Sequence, residues 1–142
     1  MVPSYQVEVK VSFRSGHRLM PPYKGKCNNV HGEYFTAIFI LEQEELDVNG
    51  MLIDFGVVKK QLKTWTDDNL DHAYLHNEGD EVGKYLTEKG FKTYSVGPRN
   101  PTAENLARML YGVAKRIINL PVVKVGVVES TETSIAWFTT KG

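Results

Sequence analysis

The stretch YQVEVKVSF, Tyr5–Phe13, decides the fold because its apolar and polar residues alternate strictly. Odd-numbered positions in it are apolar or aromatic, and even-numbered positions are polar or charged. Successive side chains of a β-strand point to opposite faces, so this alternation predicts a strand with one buried face. Such a strand needs an apolar layer packed against it, and the rest of the chain has to supply that layer.

Further along the chain, residues 33–44 predict a second strand, in which Phe35 and Phe39 share a face with Leu41. The turn residues Asp-Val-Asn-Gly at 47–50 end it. Residues 14–30 are rich in Gly, Pro and Asn, and we expect them to form a loop after the first few positions. Near the C-terminus, Val122–Val128 and Ile135–Thr139 predict two more strands.

Two helices are predicted between these pairs of strands. Asp54 can cap a helix that runs to about residue 69, with an apolar stripe that includes Val58 and Leu62. A second helix starts near Pro101 and continues at helical spacing to Ile117. Between them, residues 76–100 are polar and rich in glycine, and they predict a loop with one short helix near residues 80–88.

The order β, β, α, α, β, β predicts the α+β class, with a four-stranded antiparallel sheet and two helices on one face. At 142 residues the chain is expected to be a single domain covering 1–142. A sheet this small leaves exposed edges, and symmetric assembly into a larger barrel would cover them.

Composition excludes several classes of function. Seventeen basic residues balance seventeen acidic ones, which argues against broad electrostatic binding to nucleic acid or to an anionic membrane. We find no apolar run long enough to cross a bilayer and no signal-peptide pattern. A single cysteine cannot form an internal disulfide, so we expect a cytoplasmic protein.

The motif CNNVHGE, Cys27–Glu33, carries the strongest chemical signal. His31 and Glu33 lie two apart at the start of a strand and can point to one place, and Cys27 is close enough in sequence to reach it. His31 and Glu33 together with His17 would provide the three protein ligands of a catalytic zinc site. The thiol of Cys27 beside such a cation becomes a reactive thiolate. The alternative is that these histidines are structural, with satisfied hydrogen bonds.

Two further groups of residues could take part in chemistry. Asp71 precedes His72 and could orient its imidazole for proton transfer, although such a dipeptide is also common at surfaces and helix caps. Thr102 and Glu104 lie at a helix start, where an acidic side chain is favoured in any case. Glu129 ends a strand expected to be buried, and a buried carboxylate needs hydrogen-bond donors such as the guanidine-like edge of a ligand.

In this order, these motifs resemble the 6-pyruvoyltetrahydropterin synthase and 6-carboxytetrahydropterin synthase family over nearly the whole chain. The matching segments are Gly16–Leu19, Cys27–Tyr34, Gly50–Gly56, Leu70–Leu75, Pro101–Asn105 and Val128–Glu129.

The resemblance implies a tunnelling fold (T-fold), in which subunits close a barrel and pair as a dimer of trimers, a homohexamer. It implies a pterin triphosphate substrate, 7,8-dihydroneopterin triphosphate, and one Zn²⁺ per chain. It assigns residues to three roles. The catalytic residues are Cys27, Asp71 and His72; the metal ligands are His17, His31 and, in the third position, Glu33; the substrate-binding residues are Thr102, Glu104 and Glu129.

Two features depart from the family pattern. The family normally has His-Gly-His where this chain has His31-Gly32-Glu33, so the third ligand is a carboxylate. The anion weakens zinc as a Lewis acid, and it leaves open a different metal or a loss of tight binding. The segment 76–100 is also longer than is usual in bacterial members. Residues for the triphosphate are not indicated, beyond the position of Lys24 and Lys26 in the loop.

Three residues separate Cys27 from His31, as in the bacterial 6-carboxytetrahydropterin synthases of 7-deazaguanine (queuosine) biosynthesis. The sequence therefore favours a metal-dependent lyase that makes 6-carboxy-5,6,7,8-tetrahydropterin and releases acetaldehyde and triphosphate. Two alternatives stay open. One is a 6-pyruvoyltetrahydropterin synthase that eliminates triphosphate, and the other is a barrel protein that binds a pterin or purine without turnover.

Overall fold

The computed structural model describes residues 2–130 and 133–140. It contains six strands and three α-helices in one sheet-and-helix unit. The strands are β1 (Tyr5–His17), β2 (His31–Gln43), β3 (Tyr74–His76), β4 (Thr93–Ser95), β5 (Val122–Glu129) and β6 (Ile135–Thr139). The helices are α1 (Phe55–Asn69), α2 (Glu81–Glu88) and α3 (Ala103–Gly112), and a π-helical segment, Val113–Ile117, continues α3.

β1 and β2 form a long antiparallel pair whose register runs from Tyr5 opposite Gln43 to His17 opposite His31. The strand predicted over residues 5–13 is longer in the structure, because β1 continues to His17. The alternation in fact continues: Ser15 is buried and its hydroxyl donates to the Leu70 carbonyl at 2.7 Å. The extra residues bring His17 directly opposite His31.

The sheet has six strands in the order β4-β3-β1-β2-β5-β6, so the prediction of a four-stranded antiparallel sheet was wrong in number and in direction. The four predicted strands are present and pair antiparallel. β3 and β4 extend the sheet beside β1, and both pair parallel to their neighbours. They come from the segment 76–100 and the residues just before it.

The core lies between one face of the sheet and the helices α1 and α3. α1 contributes Val58 and Leu62, and α3 contributes Leu106 and Leu110, to a single buried cluster with Phe35 of β2 and its neighbours on that face. Two helices on one face were predicted, and this part of the architecture is as expected. No helix in the described part of the chain combines the length and apolar character that a membrane span requires.

A buried polar network attaches α2 to the end of β1. Asp80 is fully buried, caps α2 by accepting from Val82 N at 3.1 Å, and accepts two bonds from the Arg18 guanidinium at 2.8 and 3.0 Å. The hydroxyl of Tyr74 donates to its other oxygen at 2.7 Å. The segment 76–100 is therefore held by Arg18, the residue that directly follows His17.

Candidate active site

The candidate site is built at the end of the β1–β2 pair, where His17 and His31 face each other. Their ring centroids lie 4.6 Å apart. The rings of His17 and Phe35 are nearly perpendicular, and their centroids lie 5.3 Å apart. His17 is buried and His31 is half-buried. Glu33 follows His31 on the same face of β2, because residues two apart in a strand point the same way.

Backbone carbonyl groups fix the tautomers of both imidazoles. His17 Nδ1 lies 2.9 Å from the Pro101 carbonyl, and His31 Nδ1 lies 2.7 Å from the Asn29 carbonyl. A carbonyl can only accept, so each Nδ1 donates, and in the neutral ring each Nε2 keeps a free lone pair. A hydrogen bond from the ring nitrogen that does not face the metal, here Nδ1, is typical of histidines that ligate metals.

The environment favours the neutral, ligand-competent form of His17. Burial has the largest effect and lowers the pKa of His17. The bond to the Pro101 carbonyl opposes it, the neighbouring His31 lowers the pKa further by a smaller amount, and Glu33 opposes the shift least. His17 Nε2 is buried and has no hydrogen-bond partner among the described residues. An unsatisfied buried nitrogen is costly unless a ligand occupies that direction, so this atom fits a metal site.

Glu33 is held by a serine that the sequence analysis did not single out. The Ser130 hydroxyl donates to Glu33 Oε2 at 2.9 Å, and Ser130 reaches it from a left-handed backbone conformation with a φ of 46°. Within the described residues, no three His, Cys, Asp or Glu side chains already converge as a metal site. The donor set fits zinc chemistry, with two imidazole nitrogens and one carboxylate, but the third donor is turned toward Ser130.

Glu129 brings a second carboxylate to the same end of the sheet. It pairs with Phe35 across β2 and β5, and therefore lies on the face that carries Glu33. Burial raises the pKa of Glu129, and the negative charges of Glu33 and Glu104 raise it further. A cavity of about 490 Å³ opens here, and its lining includes Leu19, Thr102, Glu104 and Glu129. A ligand with several N–H donors would relieve this concentration of negative charge.

Thr102 and Glu104 are placed by the start of α3. The Thr102 hydroxyl caps the helix by accepting from Asn105 N at 3.1 Å, so the structure gives this side chain a structural task. Glu104 lies in the first turn and is exposed. The Pro101 carbonyl that orients His17 comes just before this cap, which ties the helix start to the histidine pair.

Cys27 lies in a short 3₁₀ turn, Lys26–Asn28, between β1 and β2. Its carbonyl accepts from Leu19 N at 2.8 Å, and the Asn28 side chain donates back to the Leu19 carbonyl at 2.9 Å. Leu19 also lines the carboxylate cavity, so this turn borders the candidate site. Cys27 is half-buried.

The Asp71–His72 pair is well formed but lies elsewhere. Asp71 accepts from Arg14 N at 2.8 Å and from His72 Nδ1 at 2.7 Å. The Arg14 N–H is the main cause, and His72 a lesser one, of a pKa of Asp71 below its usual value, so the carboxylate stays ionised. The exposed His72 has a φ of 62°, a conformation that costs energy for any non-glycine residue and is frequent at functional sites.

His72 lines a different cavity, of about 590 Å³, together with Gly16, Gly32 and Tyr34, and Glu33 borders this cavity as well. Gly16 and Gly32 are the sequence neighbours of His17 and His31, so they lie on the opposite face of the sheet. Within one chain the structure therefore brings together His17, His31, Glu33, Glu104 and Glu129, with Cys27 at their border. Of these residues Glu33 also borders the cavity of His72, whereas His17, His31 and Glu129 are not among its described lining residues.

Comparison with known proteins agrees with this architecture. The family model described as 6-pyruvoyl tetrahydropterin synthase matches residues 6–141. A curated relative, the 6-carboxy-5,6,7,8-tetrahydropterin synthase of Rickettsia typhi, is 38% identical over 100 residues, which cover 69% of this chain and 71% of that protein. The chain therefore belongs to the 6-pyruvoyl tetrahydropterin synthase family, as the sequence motifs predicted.

Solved structures support the fold. An uncharacterised protein of Wolinella succinogenes superposes with a TM-score of 0.78 at 19% identity, covering 98% of this chain and 99% of that one. The 6-pyruvoyl tetrahydropterin synthase of Caenorhabditis elegans superposes with a TM-score of 0.71 at 24% identity, covering 99% and 98%. At these identities the likeness establishes the shared α+β fold and its mixed sheet.

Proposed function

We propose that this protein is a 6-carboxy-5,6,7,8-tetrahydropterin synthase. The reaction would convert 7,8-dihydroneopterin triphosphate and one water molecule to 6-carboxy-5,6,7,8-tetrahydropterin, acetaldehyde and triphosphate. That the protein is a pterin lyase of this family follows from the family membership and from relatives named for that activity. The observation that carries the finer proposal is the pair of Nδ1-bonded histidines beside a cluster of carboxylates, in a chain 38% identical to such a synthase.

His17, His31 and Glu33 would hold the metal, which we propose to be one Zn²⁺ per chain. When bound there, zinc would act as a Lewis acid toward the hydroxyl groups of the substrate side chain. Both histidines already present Nε2 lone pairs. Glu33 can rotate toward them or keep its bond to Ser130 and use its second oxygen, since a carboxylate has several acceptor positions.

The remaining residues would bind the substrate and move protons. Glu129 would accept two hydrogen bonds from the guanidine-like edge of the pterin, with Glu104 and Thr102 beside it. Cys27, as a thiolate, would remove a proton from the substrate side chain. Asp71 accepts from His72 Nδ1, so His72 Nε2 is left as the acceptor for the second proton transfer.

The separation of His72 from the histidine pair supports a site shared between chains. His72 lies in a cavity lined by Gly16 and Gly32, on the face of the sheet opposite to His17, and of the three proposed metal ligands Glu33 alone is among the described lining residues of that cavity. We propose that the active assembly is a closed homo-oligomer, a hexamer built from two trimers, in which His72 serves the site of a neighbouring chain.

Mass spectrometry of the product tests the proposal. Purified protein loaded with Zn²⁺ is incubated with 7,8-dihydroneopterin triphosphate, and we expect the mass of the 6-carboxy product together with acetaldehyde. The mass of 6-pyruvoyltetrahydropterin without acetaldehyde would replace the proposal with the triphosphate-eliminating reaction. Retained substrate affinity without any product would instead indicate a binding protein.

A further inference from the structure

A second cavity, about 420 Å³ in volume, lies further along α3 than the carboxylate cavity. We call it the arginine cavity. Its lining comes from the loop before α3, from α3, from the π-helical segment and from β6. The lining residues include Arg99, Asn105, Arg108, Tyr111, Arg116 and Phe138.

The charge in this cavity is unbalanced. Three of the five arginines in the chain line it, and no aspartate or glutamate is among its described lining residues. Within residues 2–130 and 133–140, none of these three arginines forms an ion pair. The protein as a whole carries equal numbers of acidic and basic residues, so this local concentration of guanidinium groups is not a consequence of a basic composition.

The backbone makes room for one of these guanidinium groups. A Cβ atom at Gly112 would lie 2.7 Å from Arg116 Nη1, so the missing side chain lets Arg116 fold back over α3. Glycine within a helix is unfavourable unless something requires it. The π-helical segment begins at the next residue, with Ile118 N donating to the Val113 carbonyl at 3.0 Å, and such segments are frequent at functional sites.

The other parts of the lining are held in place. Asn105 Nδ2 donates to the Asn100 carbonyl at 3.0 Å, which fixes the loop that carries Arg99. The Arg108 guanidinium lies 5.7 Å from the centre of the Phe138 ring. A hydrogen bond with Thr140 lowers the pKa of Tyr111, and the positive charges of Lys115 and Arg116 lower it further, so the cationic environment reaches the phenol.

We propose that the arginine cavity binds an oligophosphate, a linear chain of phosphate groups. Guanidinium groups match phosphate oxygens with paired N–H donors, and several of them around one cavity suit a ligand with several charged groups. Two sources share this chemistry. One is the phosphate chain of the proposed lyase substrate, which rests on the proposed function, and the other is a free triphosphate or a nucleotide.

Isothermal titration calorimetry with inorganic tripolyphosphate tests the site without any need for turnover. We expect binding to the wild-type protein that weakens with added salt, and at least tenfold weaker binding by Arg108→Gln, because bonds between charged groups are strong. Lys84→Gln removes one exposed positive charge from α2 and is the matched control, with unchanged affinity expected. Absence of binding to the wild type, or equal loss in both variants, would overturn the proposal.

Gly112→Ala provides a second variant that does not depend on removing an arginine. Its methyl group would displace the flexible end of Arg116, while alanine suits a helix better than glycine. We expect a melting temperature at or above that of the wild type together with weaker tripolyphosphate binding. Unchanged affinity in both Gly112→Ala and Arg108→Gln would show that the ligand lies elsewhere.

Steady-state kinetics separate the two sources once binding is established. If the cavity holds the phosphate chain of the substrate, Arg108→Gln raises KM for the pterin triphosphate, and tripolyphosphate competes with it. If it holds a separate ligand, KM is unchanged and tripolyphosphate binds alongside the substrate. A change in oligomer size in Arg108→Gln, without any tripolyphosphate binding to the wild type, would replace the proposal with an interface between chains.

Discussion

At the scale of single residues, two backbone carbonyl groups prepare the candidate metal site. Pro101 and Asn29 each fix one imidazole through Nδ1, and burial keeps His17 neutral at pH values where a free histidine begins to protonate. These bonds orient the two rings and leave both Nε2 atoms as the nitrogen donors of the site. Glu33 is the component that has to adjust, because Ser130 now holds it.

Metal content should therefore depend more on Glu33 than on Ser130, whose hydroxyl bonds to Glu33. We expect about one zinc ion per wild-type chain by inductively coupled plasma mass spectrometry, a large loss in Glu33→Ala, and recovery in Glu33→His, which restores a nitrogen donor. Ser130→Ala removes an outer hydrogen bond and should weaken metal affinity by about 10–100-fold. His72→Ala is the control and should keep its metal. Full occupancy in Glu33→Ala would remove Glu33 from the ligand set.

Glu129 should show opposite effects on stability and on binding. Its folded-state pKa lies above the ordinary value near 4.5, so the folded protein binds this proton more tightly than the unfolded one. Stability is therefore lost as the pH rises from about 4.5 through the folded-state pKa, and Glu129→Gln avoids that loss. We expect the variant to be more stable than the wild type at pH 7 without ligand, with a difference that shrinks toward pH 4.5.

The same variant should bind the pterin less tightly, by about tenfold to a hundredfold, because a hydrogen bond to a charged group is lost. Chemical denaturation at several pH values and a pterin titration measure the two effects. Lower stability of Glu129→Gln at pH 7, or an affinity equal to that of the wild type, would contradict the anchoring role.

At the scale of elements, the sequence predicts the parts whose patterns are local. The strict alternation in β1, the Asp54 cap of α1 and the short helix near residues 80–88 can be predicted without the fold. β3 and β4 could not be predicted, since each has three residues and exists through parallel pairing with strands distant in sequence. The π-helical end of α3 also has no local signal, because its residues continue the helical spacing.

For the candidate site, the predictable part was the identity of the side chains. Motifs in the sequence singled out His17, His31 and Glu129, but not the serine or the carbonyl groups that orient them. Ser130 acts through a left-handed turn after β5, and nothing in its sequence neighbourhood indicates a bond to Glu33. Such contacts depend on register between strands, which alternation alone does not determine.

The element-level prediction concerns Asp80, which joins α2, β3 and the residue after β1. Burial raises the pKa of Asp80, but the bonds from Arg18 and Tyr74 outweigh it, and the pKa falls below its ordinary value near 3.8. Its stabilising effect is present above that value and is lost as the pH falls through the folded-state pKa.

Asp80→Asn leaves the Arg18 guanidinium without its buried counter-charge and should lower the free energy of unfolding by about 3 kcal/mol. Asp54→Asn is the matched control, because it changes an exposed helix cap to another good capping residue and should change stability by a few tenths of a kcal/mol at most. Urea denaturation at pH 7 compares them. Equal, small effects of the two changes would show that the hydrogen bonds of Asp80 do not hold the segment 76–100.

At the scale of the whole molecule, the sheet is incomplete at two long edges. β1 pairs with β2 along its full length, but with β3 only at Gly16 and His17, so its other side is unpaired in the described residues over most of its length. The outer edge of β6 is unpaired in the same sense. The face opposite the helices also carries a small apolar cluster around Ile38, Ile40 and Val128. Unpaired edges and two apolar faces favour a closed oligomer.

Mixing inactive variants tests whether the assembly shares its sites. Cys27 borders the histidine pair, whereas His72 lies on the opposite face, so each site would take these two residues from different chains. Cys27→Ala and His72→Ala should each be inactive. Refolded together in equal amounts, about one site in four would combine an intact Cys27 with an intact His72, and about a quarter of the wild-type activity should return.

The matched control pairs Cys27→Ala with His31→Ala, two changes at the same end of one chain. No site in that mixture can contain both intact residues, so no activity should return. Light scattering on the wild-type protein should give the mass of a hexamer, about six times the 16.1 kDa of one chain. A fully active monomer, or equal recovery in both mixtures, would contradict a site built from two chains. A quarter of the activity in the first mixture alone would instead place His72 in the site of its neighbour, which accounts for its strained and exposed position in a single chain.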